Sequence, residues 1–213
     1  MKKLCAMLLL LCTIPLAFSS CAPEEYNGVD TMYKPVIYLY PEEETDVTVK
    51  LHYEGTLTCT YPAYEDGWSV RAFSDGKLID RKTGKEYTYL FWEGKSDPRY
   101  DMTKGYVVAG ADTAAFLEAT LEKMGLTPKE YNEFIVFWLP QMQENPYNLI
   151  TFQTTAYEEK AKLEITPRPD SILRVFMVYK PLEKPIEIEE PVITPFQREG
   201  FTVVEWGGSA LES

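Results

Sequence analysis

The chain is poor in the residues that most metal and nucleophile chemistry needs. Its 213 residues include a single histidine, His52, and four cysteines, three of them (Cys5, Cys12 and Cys21) close to the N-terminus. Zinc sites draw on several His or Cys ligands. His52 and the isolated Cys59 cannot supply such a set, and no metal or other cofactor is expected. With Cys59 as the one thiol of the body, no internal disulfide is expected either, so packing alone must hold the fold. Neither GxGxxG nor GxxxxGK[ST] occurs, which removes the usual phosphate cradles, and no GxSxG is present to mark a hydrolase serine. Asp66-Gly67 and Asp75-Gly76 read as turns and lack the regular ligand run of a calcium loop. There is no basic run, and the net charge is −12. A body of that charge repels nucleic acid and anionic headgroups.

The long apolar run of a membrane-spanning helix is also missing. Residues 4–18 form an apolar stretch of 15 residues interrupted by Pro15 and preceded by Lys2 and Lys3. That is too short to cross a bilayer and has the form of a secretory signal peptide over residues 1–20. Phe18-Ser19-Ser20-Cys21 closes it, and small residues directly before a cysteine resemble the bacterial lipobox. The resemblance implies a thiol at Cys21 carrying diacylglycerol, with acyl chains such as palmitate, that anchors the protein to the outer face of the cell membrane. Two acyl chains meet the requirement for stable attachment. The alternative is ordinary cleavage after Ala22. Residues 21–33 read as a lipid-anchored tether, whose polar residues 22–33 give a root-mean-square reach of about 20 Å.

What is abundant is aromatic residues, 14% of the chain, in strand-like patterns. Val36–Tyr40 alternates and ends at Pro41. Asp46–Tyr53 places Val47, Val49, Leu51 and Tyr53 on one face, with His52 on the other. Leu57, Cys59 and Tyr61 continue the apolar set after Glu54-Gly55-Thr56, which predicts a hairpin with a three-residue loop pairing Tyr53 with Leu57 and Leu51 with Cys59. Cys59 then points inward. Trp68, Val70 and Ala72 form a further inward set, and Glu86–Glu93 reads as one strand that is aromatic on both faces.

Helical signals follow. Asp112 as cap, the stripe Phe116, Leu117, Leu121 and Met124, and Gly125 as terminator define one helix. Thr127-Pro128-Lys129-Glu130 is a capping box opening a second. The β-branched and aromatic Ile135–Leu139 predicts a switch to strand, leaving a two-helix insertion over about residues 112–134. Strands are expected again at Leu149–Thr154, Lys162–Ile165 and Leu173–Val178, with Arg168-Pro169-Asp170-Ser171 turning between the last two. The proline- and glutamate-rich segment 181–195 reads as an acidic edge or linker, and Phe201–Trp206 as a final strand stopped by Gly207-Gly208. The expected fold class is α+β, mainly antiparallel and sandwich-like. Its expected divisions are a β-rich part over residues 34–104, an α+β part over 105–208 and a tail over 209–213.

Two functional readings compete. Tyrosines such as Tyr38 and Tyr40 suit interfaces, since the ring is apolar and the hydroxyl can stay wet. With Trp92, Asn148 and Trp206 they form the candidate set for a surface module that binds a glycan or a protein partner. The alternative is a carbohydrate-active hydrolase in which Glu93 and Glu205, each beside a tryptophan and a glycine, act as paired carboxylates. Catalysis by His52 has no nucleophile motif to support it.

Four blocks, KPVIYLYP from Lys34, YLFWEG from Tyr89, NEFIVFWLPQMQENPYNLITFQ from Asn132 and FTVVEWGG from Phe201, resemble an uncharacterised family of bacterial proteins that share them in this order. The resemblance spans about residues 33–208. It implies no activity, ligand or catalytic residue, and the leading expectation is an extracytoplasmic lipoprotein acting as a binding module.

Overall fold

A computed structural model describes residues 30–97 and 99–212. The expected signal peptide, Cys21 and the first part of the expected tether lie outside the described residues. Among the described residues, twelve strands and three α-helices occur in the order β1 (Asp30–Tyr40), β2 (Thr45–Tyr53), β3 (Thr56–Tyr61), β4 (Trp68–Ala72), β5 (Leu78–Asp80), β6 (Glu86–Tyr87), β7 (Leu90–Ser96), β8 (Tyr106–Ala109), α1 (Thr113–Met124), α2 (Pro128–Met142), β9 (Tyr147–Phe152), α3 (Thr154–Lys160), β10 (Ala161–Thr166), β11 (Ser171–Leu182) and β12 (Thr202–Ala210). A seven-stranded sheet runs β3-β7-β1-β12-β11-β9-β8 and a five-stranded sheet runs β10-β2-β4-β5-β6. All neighbours are antiparallel except β11 and β12, which are parallel. The fold is α+β and mainly antiparallel. No helix among the described residues is long and apolar enough to cross a membrane.

Three layers result. One core joins the two sheets, with Leu39, Trp92, Phe176 and Val203 from the large sheet meeting Val49, Trp68 and Val70 from the small one. The other lies between the large sheet and the helices, where Val36, Val175, Val204 and Trp206 meet Leu117, Leu121, Phe134 and Trp138. The large sheet is therefore buried on both faces over its middle. This explains β12, in which every residue from Thr202 to Ser209 is buried.

Several expectations are corrected. The β2–β3 hairpin does not form, because β2 belongs to the small sheet and β3 to the large one, where it pairs with β7. The chain changes sheets at Gly55, where any Cβ would stand 2.4 Å from the Lys95 carbonyl oxygen and 2.7 Å from the Tyr53 ring. Cys59 is consequently exposed, on an edge strand. Glu86–Glu93 divides at Thr88-Tyr89 into β6 and β7, one in each sheet. Ile135–Leu139 stays helical, since Tyr131, Phe134, Trp138 and Met142 form a buried stripe at helical spacing that packing rewards. Thr154–Lys160 is a helix, which the sequence did not announce.

The division near residue 104 does not separate the layers either. β10 pairs with β2, and β12 with β1, so both proposed halves contribute to both sheets. The expected tether ends earlier, because β1 begins at Asp30, and the expected tail is shortened by β12, which continues to Ala210. Gly207-Gly208 does not stop that strand. The pair lies within it, under Pro35 and Trp138.

Candidate functional site

The helical layer is narrower than the sheet it covers. Buried residues facing it come from β1, β12, β11, β9 and β8, and none from β7 or β3. Leu90 and Trp92 of β7 enter the inter-sheet core, so alternation turns Phe91 and Glu93 to the opposite face, where both are half-buried at the edge of the helical layer. Tyr61 of β3 pairs with Phe91 and is 61% exposed. The side of α2 supplies Phe137 as a wall above this ledge. The result is an open cleft of about 430 Å³ lined by Lys34, Tyr61, Tyr89, Phe91, Glu93 and Phe137. A second hollow of about 290 Å³ shares Tyr61 and Tyr89 with it and adds Glu86, Tyr87 and Thr88. Tyr61 meets Tyr87 edge-on with ring centroids 5.3 Å apart, and Tyr89 meets Tyr38 likewise at 5.4 Å.

Lys34 is the unusual member. Its φ of 52° makes it the one non-glycine with left-handed backbone among the described residues. It stands where both ladders of β1 shift register between its partners at either side, a β-bulge that re-aims the chain. A residue before proline is normally extended, and a left-handed non-glycine costs on the order of 1–3 kcal/mol. The Lys34 backbone N–H donates to Glu93 Oε1 at 3.3 Å. Its ammonium lies 5.2 Å from the Phe137 ring centroid and 5.3 Å from that of Trp206. Burial pulls its pKa down, partly opposed by the charge of Glu133, which itself accepts the Tyr38 hydroxyl at 3.2 Å.

The residues singled out in the sequence are distributed differently. Glu205 lies on the sandwich face of β12, fully buried, with Arg174 Nε at 2.6 Å and Trp92 Nε1 donating at 3.1 Å. The Arg174 guanidinium stacks 4.5 Å from the Tyr157 ring centroid. Glu93 is on the other face of the same sheet, so the two glutamates do not meet and cannot flank one glycosidic bond. Trp92, Tyr38, Trp206 and Asn148 are all fully buried. Asn148 is a strut, donating to Thr113 Oγ1 at 3.2 Å and to the Met142 carbonyl at 3.0 Å. Tyr40 is half-buried, stacked on Tyr38 and under the Arg198 guanidinium. His52 is exposed and paired with Glu164 at 3.0 Å. Among the described residues no group of three or more His, Cys, Asp or Glu is arranged to hold a metal. The cleft therefore retains Glu93 from the candidates and gains Lys34, Tyr61, Tyr89, Phe91 and Phe137.

Burial has a measurable consequence. It is the chief cause raising the pKa of Tyr38, Tyr40, Tyr89 and Tyr157. An unfolded tyrosine ionises near pH 10. Above that value the unfolded state loses protons that the folded state keeps, so stability is complete below about pH 10 and falls as pH rises further. In an alkaline titration, tyrosinate absorbance and loss of near-ultraviolet dichroism are expected to rise together above about pH 10. Ionisation of Tyr38, Tyr40 and Tyr157 in a still-folded chain just above pH 10 would contradict this.

No family model matches the chain, and no solved structure matches it. A stretch of 64 residues, 29% of the chain, is 47% identical to an uncharacterised protein in the bglA 3′ region of Butyrivibrio fibrisolvens. The match spans 65% of that relative's length.

Proposed function

We propose that the protein is a lipid-anchored binding module of the outer cell surface, and that its ligand lies in the aromatic cleft over Lys34 and Glu93. The observation that carries the reading is Lys34. A strained backbone persists only where surrounding structure holds it, and such strain collects at binding sites. Here the Lys34 backbone N–H holds the Glu93 carboxylate while its ammonium lies against Phe137, on an otherwise aromatic ledge at the edge of the helical layer. The lipobox-like Phe18–Cys21 supports the address, and the absence of a shared cleft for Glu93 and Glu205 favours binding over glycoside hydrolysis.

The cleft is tested by cosedimentation with purified cell envelopes, using a chain that begins at Ala22 and so keeps every described residue. The unaltered chain is expected to pellet with the envelopes, and Tyr61→Ala to weaken this at least tenfold. Tyr61 is mostly exposed, so its loss leaves the core intact. Equal pelleting by both chains, or by neither, rejects the cleft. The anchor is tested separately by fatty-acid labelling of cells carrying the full chain or Cys21→Ala. Label is expected in the first and not in the second.

A further inference from the structure

Resting on that binding reading, we infer that the ligand is a neutral oligosaccharide, bound across both hollows with the Tyr61 ring between adjacent sugar units. Three features of the ledge select this chemistry. The first is its surface. The cleft walls and floor are the rings of Tyr61, Tyr89, Phe91 and Phe137, and Tyr87 continues the aromatic lining into the second hollow. A pyranose presents a face of weakly positive C–H groups, which lies flat on the negative face of an aromatic ring. The second is the placement of polar groups around those rings. Glu93 in one hollow, with Glu86 and Thr88 in the other, can accept hydroxyl protons along the edges of a stacked sugar. A carboxylate can take two such hydroxyls at once, which orients the ring without any catalytic partner.

The third feature is charge, and it separates a neutral chain from a cationic or an anionic one. An aromatic ledge with a carboxylate would suit a lysine- or arginine-rich peptide if its ring faces were free for cations. At the wall they are not. The ammonium of Lys34 already lies 5.2 Å from the Phe137 ring centroid, so at that wall the protein supplies its own cation and repels a second. Anionic glycans meet Glu93 and Glu86 in the hollows and a chain of net charge −12 around them. A polyhydroxylated, uncharged ligand meets neither obstacle. Because the two hollows share Tyr61 and Tyr89 as a common border, one extended ligand can occupy both. A single sugar reaches half the contacts.

Native gel retardation tests this with soluble xylan and mixed-linkage β-glucan as neutral probes, and with polygalacturonate and polylysine as charged ones. The chain beginning at Ala22 is expected to be retarded by at least one neutral glycan and not by polygalacturonate, while any retardation by polylysine comes from the net negative charge and is expected to be the same for Tyr61→Ala. Tyr61→Ala is expected to raise the dissociation constant at least tenfold. Glu93→Gln, which can still accept the Lys34 N–H, is expected to raise it severalfold with an unchanged circular dichroism spectrum. A pentasaccharide should bind at least tenfold more tightly than the monosaccharide. Retardation by neither neutral glycan overturns the inference, as does retardation by polygalacturonate instead, retardation by polylysine that Tyr61→Ala weakens, or neutral-glycan retardation indifferent to both substitutions. If envelope cosedimentation still depends on Tyr61 in those cases, the cleft stands and the sugar falls. If that dependence is also missing, both fall.

Discussion

Replacing Glu205 with alanine is expected to destabilise the protein by about 3–5 kcal/mol, because the change leaves a guanidinium charge in the core without its partner. Glu205 is fully buried at the centre of the large sheet, and the Arg174 side chain is only 7% exposed. Burial alone pulls the arginine pKa down. The carboxylate more than offsets that, so the guanidinium stays charged inside the sandwich. Trp92 Nε1 occupies the other carboxylate oxygen, and the rings of Tyr157 and Phe176 stack beside it at 4.2 Å. Substituting both partners with apolar residues, Arg174→Met with Glu205→Leu, removes the uncompensated charge and is expected to restore most of the loss. Urea unfolding followed by tryptophan fluorescence measures both variants. A cost below about 1 kcal/mol for Glu205→Ala would mean that water reaches the pair.

The second large effect is expected at Gly208. A Cβ there would stand 2.4 Å from the Met177 carbonyl oxygen and 2.7 Å from the Trp138 ring. The carbonyl belongs to the neighbouring strand and cannot swing aside as a side chain could. Gly208→Ala is therefore expected to cost about 3 kcal/mol, the upper end for overpacking. For a chain of this size that lowers the melting temperature by roughly 6–12 °C. Adding Trp138→Phe relieves the ring contact but not the carbonyl one, so it recovers only part of the loss. A melting temperature within about 2 °C of the unaltered chain would show that the helix layer yields to the strand.

These two sites show what a sequence can and cannot disclose. Alternation at Asp46–Tyr53 marked a strand correctly, because one face of β2 is buried and the other wet. The capping box at Thr127 and Glu130 marked the start of α2, because both hydrogen bonds of that box are local. The partner of a strand is not local. Leu57, Cys59 and Tyr61 match β2 in register, yet tertiary packing sends them to the other sheet, and only the crowding around Gly55 distinguishes the outcomes. At Ile135–Leu139, β-branched composition pointed to strand while Phe134, Trp138 and Met142 kept a helical period. The period decided, since buried packing outweighs intrinsic preference.

The cleft was hardly legible for a related reason. Trp92, Trp206 and Tyr38 stood out as aromatic candidates, but large rings fill cores before they line sites, and all three are buried. The rings on the open ledge are set by where the helical layer stops, a property of three layers and not of any segment. One local sign existed. A lysine before a proline at the start of an alternating strand marks a place where the ladder must break, and Lys34 is where it does.

The pairing of β1 with β12 has one more consequence. The first and last described strands are immediate neighbours in the middle of the large sheet, and the parallel step from β11 to β12 is made over the long irregular stretch 183–201. Such distant pairings close slowly, since loop entropy must be spent before any contact repays it. A nascent chain that has not yet delivered residues 202–210 lacks the keystone of its own centre and exposes Val36, Ile37, Tyr38 and Leu39 along an unpaired edge. Until residues 202–210 emerge, the polypeptide cannot lock shut.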